Sequence, residues 1–202
     1  MTVVSEALGW TAAACVVGLH LPQVWRTVVH GRSEGVPAAR AWVAIGVSLV
    51  WLGYGLFGGG LVQVVLNGTC LVLNALLLRR LVPGRRHAVA GSVLTALAAA
   101  GVIAVGSTAG MLALGVVGAV VGTVVYLPQL LALRTATEVD GVSALSLWLQ
   151  GVSGSCWIGY GVLRDEVVVW SPNVAVLLVT AWTLALLRLR RTAPEPLPSL
   201  SG

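Results

Sequence analysis

Asn67 and Asn173 each stand in the middle of a long apolar run, and each follows a tryptophan, Trp51 and Trp157, by sixteen residues. An asparagine amide surrounded by hydrocarbon is costly unless its donors and acceptor find partners. It offers N–H donors and a carbonyl acceptor, a set matched to hydroxyl groups that both donate and accept. Tryptophan adds a flat apolar face and an indole N–H, which suits the C–H side of a ring-shaped polyol. Two of each, gathered around a common axis, would enclose a small, neutral, polyhydroxylated solute. The same residues have plainer uses. Asparagines bond across neighbouring helices, and tryptophans pack or anchor helix ends at the membrane surface. Trp10, Trp25, Trp42, Trp148, Trp170 and Trp182 are assigned to that plainer use, since most lie near expected helix ends.

The elements that must position these residues are membrane helices. Of 202 residues, 57% are hydrophobic and only 9% charged, and the mean hydropathy is +0.94. A soluble domain of this size carries about a quarter charged residues, whereas runs of about 20 apolar residues read as membrane spans. The pattern predicts an all-α integral membrane protein with seven transmembrane helices near 7–29, 38–58, 60–81, 87–106, 109–134, 143–163 and 167–189. The polar tail "TAPEPLPSLSG" after Arg191 is expected to be disordered.

Charge sets the orientation. The net charge of +5 comes from arginine alone. Arg26, Arg32, Arg40, Arg79, Arg80, Arg85, Arg86, Arg134, Arg188, Arg190 and Arg191 fall on one side of the expected membrane, and Arg164 falls on the other. Cytoplasmic loops carry the basic excess, so the N-terminus is expected outside and the C-terminus in the cytoplasm, in the plasma membrane. The arginines sit in breaks between apolar runs, without a basic face interleaved with aromatics, and nucleic acid is not an expected partner.

A shift of the chain against itself by 106 residues brings out a repeat without gaps. Leu21-Pro22-Gln23 falls on Leu127-Pro128-Gln129, and Glu34-Gly35-Val36 on Asp140-Gly141-Val142. Trp42 falls on Trp148, Trp51-x-Gly53-Tyr54-Gly55 on Trp157-x-Gly159-Tyr160-Gly161, and Asn67 on Asn173. Each repeat holds three helices, an odd number, so copies facing the same way need one more span between them. The expected order is a first three-helix repeat (1–82), a linker helix that inverts the direction (83–107), a second three-helix repeat (108–191) and a cytoplasmic tail (192–202).

These residues resemble the PQ-loop proteins, in particular sugar transporters of the SWEET and SemiSWEET type. The likeness rests on the two Leu-Pro-Gln segments, the two Trp…Asn pairs and Pro172-Asn173, and it covers roughly 7–190. It implies a 3+1+3 arrangement and a substrate pocket lined by Trp51, Asn67, Trp157 and Asn173. It also implies an extracellular gate of the kind found in "WIGYGVLRDE", with Tyr160, Arg164 and Asp165 or Glu166, and with Tyr54 as the other tyrosine. Gly58, Gly59 and Gly60 stand where the first repeat would carry charges, so an ionic latch there is expected to be one-sided. The family's proline in each second helix has one match, Pro37, and Ser143 takes the corresponding place.

Pro22 and Pro128 sit inside apolar helices, where proline removes a backbone hydrogen bond and frees the carbonyls of Gly18 and Val124. They are candidate hinges, with Gln23 and Gln129 as candidate closures of the inner gate. His20 and its counterpart Tyr126 are candidate pore-lining residues.

No Asp, Glu or Arg lies near the middle of an expected span. Proton-driven transporters place a titrating carboxylate there, so the expected activity is downhill, uncoupled and bidirectional movement of a small sugar, of monosaccharide size, by alternating access. The alternative is another small solute, such as an amino acid or a vitamin precursor. A cargo receptor would need a charged recognition surface, and an enzyme would need a nucleophile–base or metal-ligand set within the spans; neither pattern is found. No cofactor or metal is expected: Cys15, Cys70 and Cys156 lie singly within apolar segments. The expected partners are the lipid bilayer and the solute, and a homo-oligomer with one pore per chain is compatible with the sequence.

Overall fold

The computed structural model describes residues 2–31, 38–82, 84–135 and 144–191, with 59, 85, 125–135, 144 and 186–191 described by backbone alone. It is built of helices α1 (Val3–Val28), α2 (Ala38–Tyr54), α3 (Leu61–Leu81), α4 (Arg85–Thr135), α5 (Ala144–Leu163) and α6 (Val167–Arg191). A π-helical turn, Gly55–Gly59, extends α2. Helix α1 starts earlier than its hydropathy predicts because Thr2 caps it. The Thr2 hydroxyl accepts from the Ser5 N–H at 3.3 Å, and the Ser5 hydroxyl donates back to the Thr2 carbonyl at 2.8 Å. Glu6 lies in that first turn and Arg26 in the last, each on the side the helix dipole favours.

The α2–α3 connection works only with glycine. Gly58 has φ 133° and Gly60 φ 104°, backbone conformations that side chains rarely adopt. The chain thereby turns through almost no loop.

Helix α4 spans 51 residues as two helical limbs joined by a kink at Gly110 (φ 78°, ψ −178°). The segment "GSTAG" reads as a break from its glycines, yet most of it stays helical. The Ser107 and Thr108 hydroxyls donate to the carbonyls of Ile103 and Ala104, both at 2.7 Å, and so turn back onto the helix. A straight helix of this length would reach ~76 Å, more than twice the ~30 Å hydrocarbon core. The packing shows how it fits. Before the break, Gly91 lies against Trp42, Val102 against Gly53 and Gly106 against Phe57, so this limb runs parallel to α2. After it, Gly115 lies against Tyr54 and Gly118 against Trp51, so the second limb runs the opposite way.

The principal contacts run α1–α3, α3–α2, α2–α4, α4–α6, α6–α5 and α5–α1, which closes a ring. In that order α3 lies opposite α6, α2 opposite α5, and α1 opposite α4. Small residues allow the closest approach between α1 and α5. Gly9 lies against the Tyr160 ring, Ala12 is fully buried, and the Ser153 hydroxyl donates to the Ala12 carbonyl at 3.2 Å.

Among the described residues, five helices are long and apolar enough to cross a membrane: Val3–Val28, Ala38–Gly58, Leu61–Leu81, Arg86–Val124 and Val167–Ala185. Helix α5 is not among these five, and Ser146, Gln150, Ser153 and Ser155 lie along it. The outward faces of the bundle carry exposed Leu94, Leu97, Val120, Leu178 and Trp182. An apolar surface of that extent belongs in lipid, and the protein is an integral membrane protein.

Candidate functional site

On α2, Trp51 and Tyr54 are three residues apart and share one helix face; their rings meet edge to face with centroids 5.3 Å apart. On α5, Trp157 and Tyr160 repeat the arrangement at 5.4 Å. Both pairs belong to one packed cluster with Ala12, Ala13, Leu66 and Cys70. Tyr54 and Tyr160 are fully buried, and Trp157 is 7% exposed. Gly118 of α4 makes room for Trp51, since a Cβ there would lie 2.8 Å from the indole Cε2. The structure thus brings together aromatic residues that the sequence separates by 106 positions.

The two asparagines stand on the facing elements α3 and α6. Asn67, 7% exposed, donates through Nδ2 to the Gln63 carbonyl at 2.9 Å and to Gln63 Oε1 at 3.2 Å. Asn173, half-buried, donates through Nδ2 to the Val169 carbonyl at 2.8 Å. Each amide is therefore steadied by the preceding turn of its own helix, and among the described contacts neither bonds to another helix. Gln63 is a member of this group that sequence reasoning passed over. The signal was a buried glutamine one turn before Asn67 on the same helix face.

Above the aromatic pairs the helix ends converge on Arg164. Its Nε donates to Glu166 Oε1 at 2.6 Å, its Nη1 lies 3.6 Å from Glu6 Oε1, and its guanidinium sits over the Tyr160 ring at 5.0 Å. The Tyr54 hydroxyl donates to Glu166 Oε2 at 2.9 Å. Four elements, α1, α2, α5 and α6, are tied through this one cluster. Burial draws the Arg164 pKa down, but the hydrogen bond and charge of Glu166 outweigh it, and the pKa ends above the ordinary arginine value. Glu6 Oε1 and Arg164 Nη1 are both buried and lack a hydrogen-bond partner, so this arm of the cluster is close but not bonded. Gly60 seats Arg164: a Cβ there would lie 3.2 Å from the Tyr160 hydroxyl and 3.4 Å from Arg164 Nη2.

Of the two acids after Arg164, Glu166 and not Asp165 is the one it engages. Asp165 takes φ 60° in the tight α5–α6 turn and is exposed. The turn is held by the Glu166 N–H donating to the Gly161 carbonyl at 2.8 Å, which leaves Glu166 at the start of α6. The acidic partner from the first half of the chain is Glu6, at the far end of α1 from Pro22. The three glycines after α2 contribute space instead of charge.

His20 is half-buried, with Nδ1 2.9 Å from the Val16 carbonyl. Since a carbonyl only accepts, Nδ1 carries the hydrogen there. Pro22 lies within α1, exposed, beside the half-buried Gln23. Pro128, Gln129 and Tyr126 lie outside the residues whose side chains are described. No cluster of metal-binding side chains occurs among the described residues, and Cys15, Cys70 and Cys156 are free thiols. A separate apolar groove, lined by Trp148, Val152, Leu177 and Leu184, runs between α5 and α6 apart from the aromatic pairs.

Residues 110–170 match the profile of the PQ loop repeat, which spans the second limb of α4, α5 and the start of α6. A comparison with curated proteins finds no match. The fold is similar to that of a eukaryotic SWEET transporter determined at 3.7 Å resolution, with a TM-score of 0.78, 17% identity, and coverage of 95% of this chain and 98% of the other. Residues 110–170 thus hold a PQ loop repeat, and the chain as a whole has the fold of a SWEET transporter.

Proposed function

We propose that this protein is a facilitative transporter of a small sugar, of monosaccharide size, working by alternating access without ion coupling. The observation that carries the reading is the pair of matching Trp–Tyr contacts, on α2 and α5, joined in one cluster beneath the Arg164 latch. Trp51 and Trp157 supply apolar faces for the C–H side of a sugar ring, and Asn67 and Asn173 supply acceptors and a donor for its hydroxyls. The opposed limbs of α4 support seven spans. The gap-free 106-residue register supports two parallel three-helix repeats joined by the first limb as linker.

The mechanism follows from the two ends of the bundle. The Arg164–Glu166–Tyr54 cluster, with Glu6 beside it, closes the outer end. The freed backbone carbonyl beneath Pro22, and the one expected beneath Pro128, let the inner ends of α1 and α4 bend, with Gln23 and Gln129 closing between them. Sugar bound between the tryptophans favours exchange of one closure for the other, and the gradient sets the direction. The described arginines Arg26, Arg40, Arg79, Arg80 and Arg86 lie at the end opposite Arg164, which supports an external N-terminus.

Counterflow in proteoliposomes with a labelled panel of sugars, amino acids and vitamin precursors tests this. Accumulation of a monosaccharide that does not respond to an imposed proton gradient is the expected result. Accumulation of an amino acid alone, or dependence on the proton gradient, overturns it.

A further inference from the structure

We infer that Gln63 determines specificity in this pocket, donating from its amide N–H groups to one hydroxyl oxygen of the substrate while its own Oε1 holds Asn67. The inference rests on the proposed sugar-transport reading and deepens it. Gln63 is 4% exposed, on the same face of α3 as Asn67 and one turn away.

Its orientation follows from hydrogen-bond logic. The Gln63 backbone carbonyl can only accept, so the Asn67 group 2.9 Å from it must be Nδ2. The second Nδ2 hydrogen reaches the Gln63 side chain at 3.2 Å, so that atom must be Oε1. Nε2 is then left with two hydrogens, and it makes no hydrogen bond to any described residue. Nε2 is not among the fully enclosed atoms left without a partner, so its two hydrogens open onto space that a ligand or water can fill.

The second half of the chain has no equivalent. Val169 stands 106 residues on from Gln63, apolar and 2% exposed, and Asn173 reaches only its backbone carbonyl. The polar groups on α3 and α6 are therefore unequal. On α3, Asn67 has both N–H groups committed and offers Oδ1 alone, while Gln63 supplies the donors. On α6, Asn173 keeps both a free N–H and Oδ1. Such a lining distinguishes the two ends of a sugar, accepting at Asn67 and donating at Gln63, so the hydroxyl oxygen at Gln63 differs from the hydroxyl hydrogen at Asn67.

The test uses counterflow KM values for the transported sugar and its set of single-deoxy analogues, measured on wild type, Gln63→Leu and Asn67→Ala. Gln63→Met serves in place of Gln63→Leu if the branched side chain impairs folding. In wild type, two different deoxy positions are each expected to raise KM about tenfold, and Gln63→Leu should erase the penalty at one of them. Asn67→Ala should erase the penalty at a different position. If both variants erase the same position, Gln63 acts only as a strut for Asn67 and the inference is overturned. A Gln63→Leu profile identical to wild type also overturns it and leaves sugar transport standing. A wild-type protein that moves none of the sugars overturns both readings.

Discussion

Tyr54, the last residue of α2, donates its hydroxyl hydrogen to Glu166 Oε2, at the start of α6, across 2.9 Å and 112 residues of sequence. The same carboxylate receives Arg164 Nε at 2.6 Å on its other oxygen. Glu166 thus joins the two halves of the bundle at one end, and both of its oxygens are committed. Removing its charge leaves a guanidinium that is 13% exposed without its best partner, which is strongly destabilising for a buried pair.

The first prediction concerns that latch. In a Cys15→Ala, Cys156→Ala background, Cys70 is the remaining thiol, buried in the cluster below Tyr54 and Tyr160. Glu166→Gln is expected to raise the rate at which a membrane-impermeant thiol reagent added outside labels Cys70, by about tenfold. An unchanged labelling rate would mean that the cluster does not hold the outer end closed.

A second prediction isolates the backbone at the α4 break. Gly110 and Gly101 both have nothing within 4 Å of an added Cβ, and they differ in that Gly110 has φ 78°. Gly110→Ala therefore meets only conformational strain, about 1–3 kcal/mol for this positive-φ extended region, and should lower the thermal midpoint in detergent. Gly101→Ala, in regular helix, should leave it unchanged or raise it, since alanine exceeds glycine by about 0.5–1 kcal/mol there. Equal effects of the two substitutions would deny that Gly110 is the turning point.

A third prediction separates packing from recognition at the tryptophans. Trp157 is buried against Tyr160, whereas Trp51 is half-buried. Trp157→Ala should cost more stability than Trp51→Ala, toward the ~3–5 kcal/mol seen for large core aromatics. Trp157→Phe keeps a ring against Tyr160 and removes the indole N–H. It should unfold near the wild-type temperature and raise the counterflow KM several-fold, which a purely structural role would not do.

Much of this arrangement could be read from residue types and spacing, and the rest could not for identifiable reasons. The Trp…Asn pairs and the paired Pro-Gln segments declare themselves because polar and helix-breaking residues are conspicuous in an apolar chain. Glu6 was hidden because an acid in the first turn of a helix is ordinary; only the ring closure of α1 onto α5 brings it near Arg164. The choice of Glu166 over Asp165 depends on one residue taking φ 60° in a tight turn, and hydropathy carries no such information. Ser107 and Thr108 hid the position of the α4 turn, because hydroxyls that suit a loop can equally bond back to a helix. Gln63 was passed over because its role depends on a side-chain contact with Asn67, and its counterpart Val169 offers no matching signal.

The unequal anchoring of Asn67 and Asn173 yields a prediction that needs no transport assay. Asn67→Ala deletes the partner of Gln63 Oε1, a side-chain acceptor in a residue that is 4% exposed. An acceptor stranded in that way costs about 1–3 kcal/mol, so Asn67→Ala should lower the thermal midpoint in detergent. Asn173→Ala deletes a bond to the Val169 carbonyl. That carbonyl keeps its helical partner, the backbone N–H four residues on, so no group is stranded. Asn173→Ala should therefore unfold close to wild type. The double variant Asn67→Ala, Gln63→Leu removes the stranded acceptor and should recover part of the loss. If Asn173→Ala proved as destabilising as Asn67→Ala, the two amides would be equivalent structural ties, and the asymmetry between α3 and α6 would not shape the pocket.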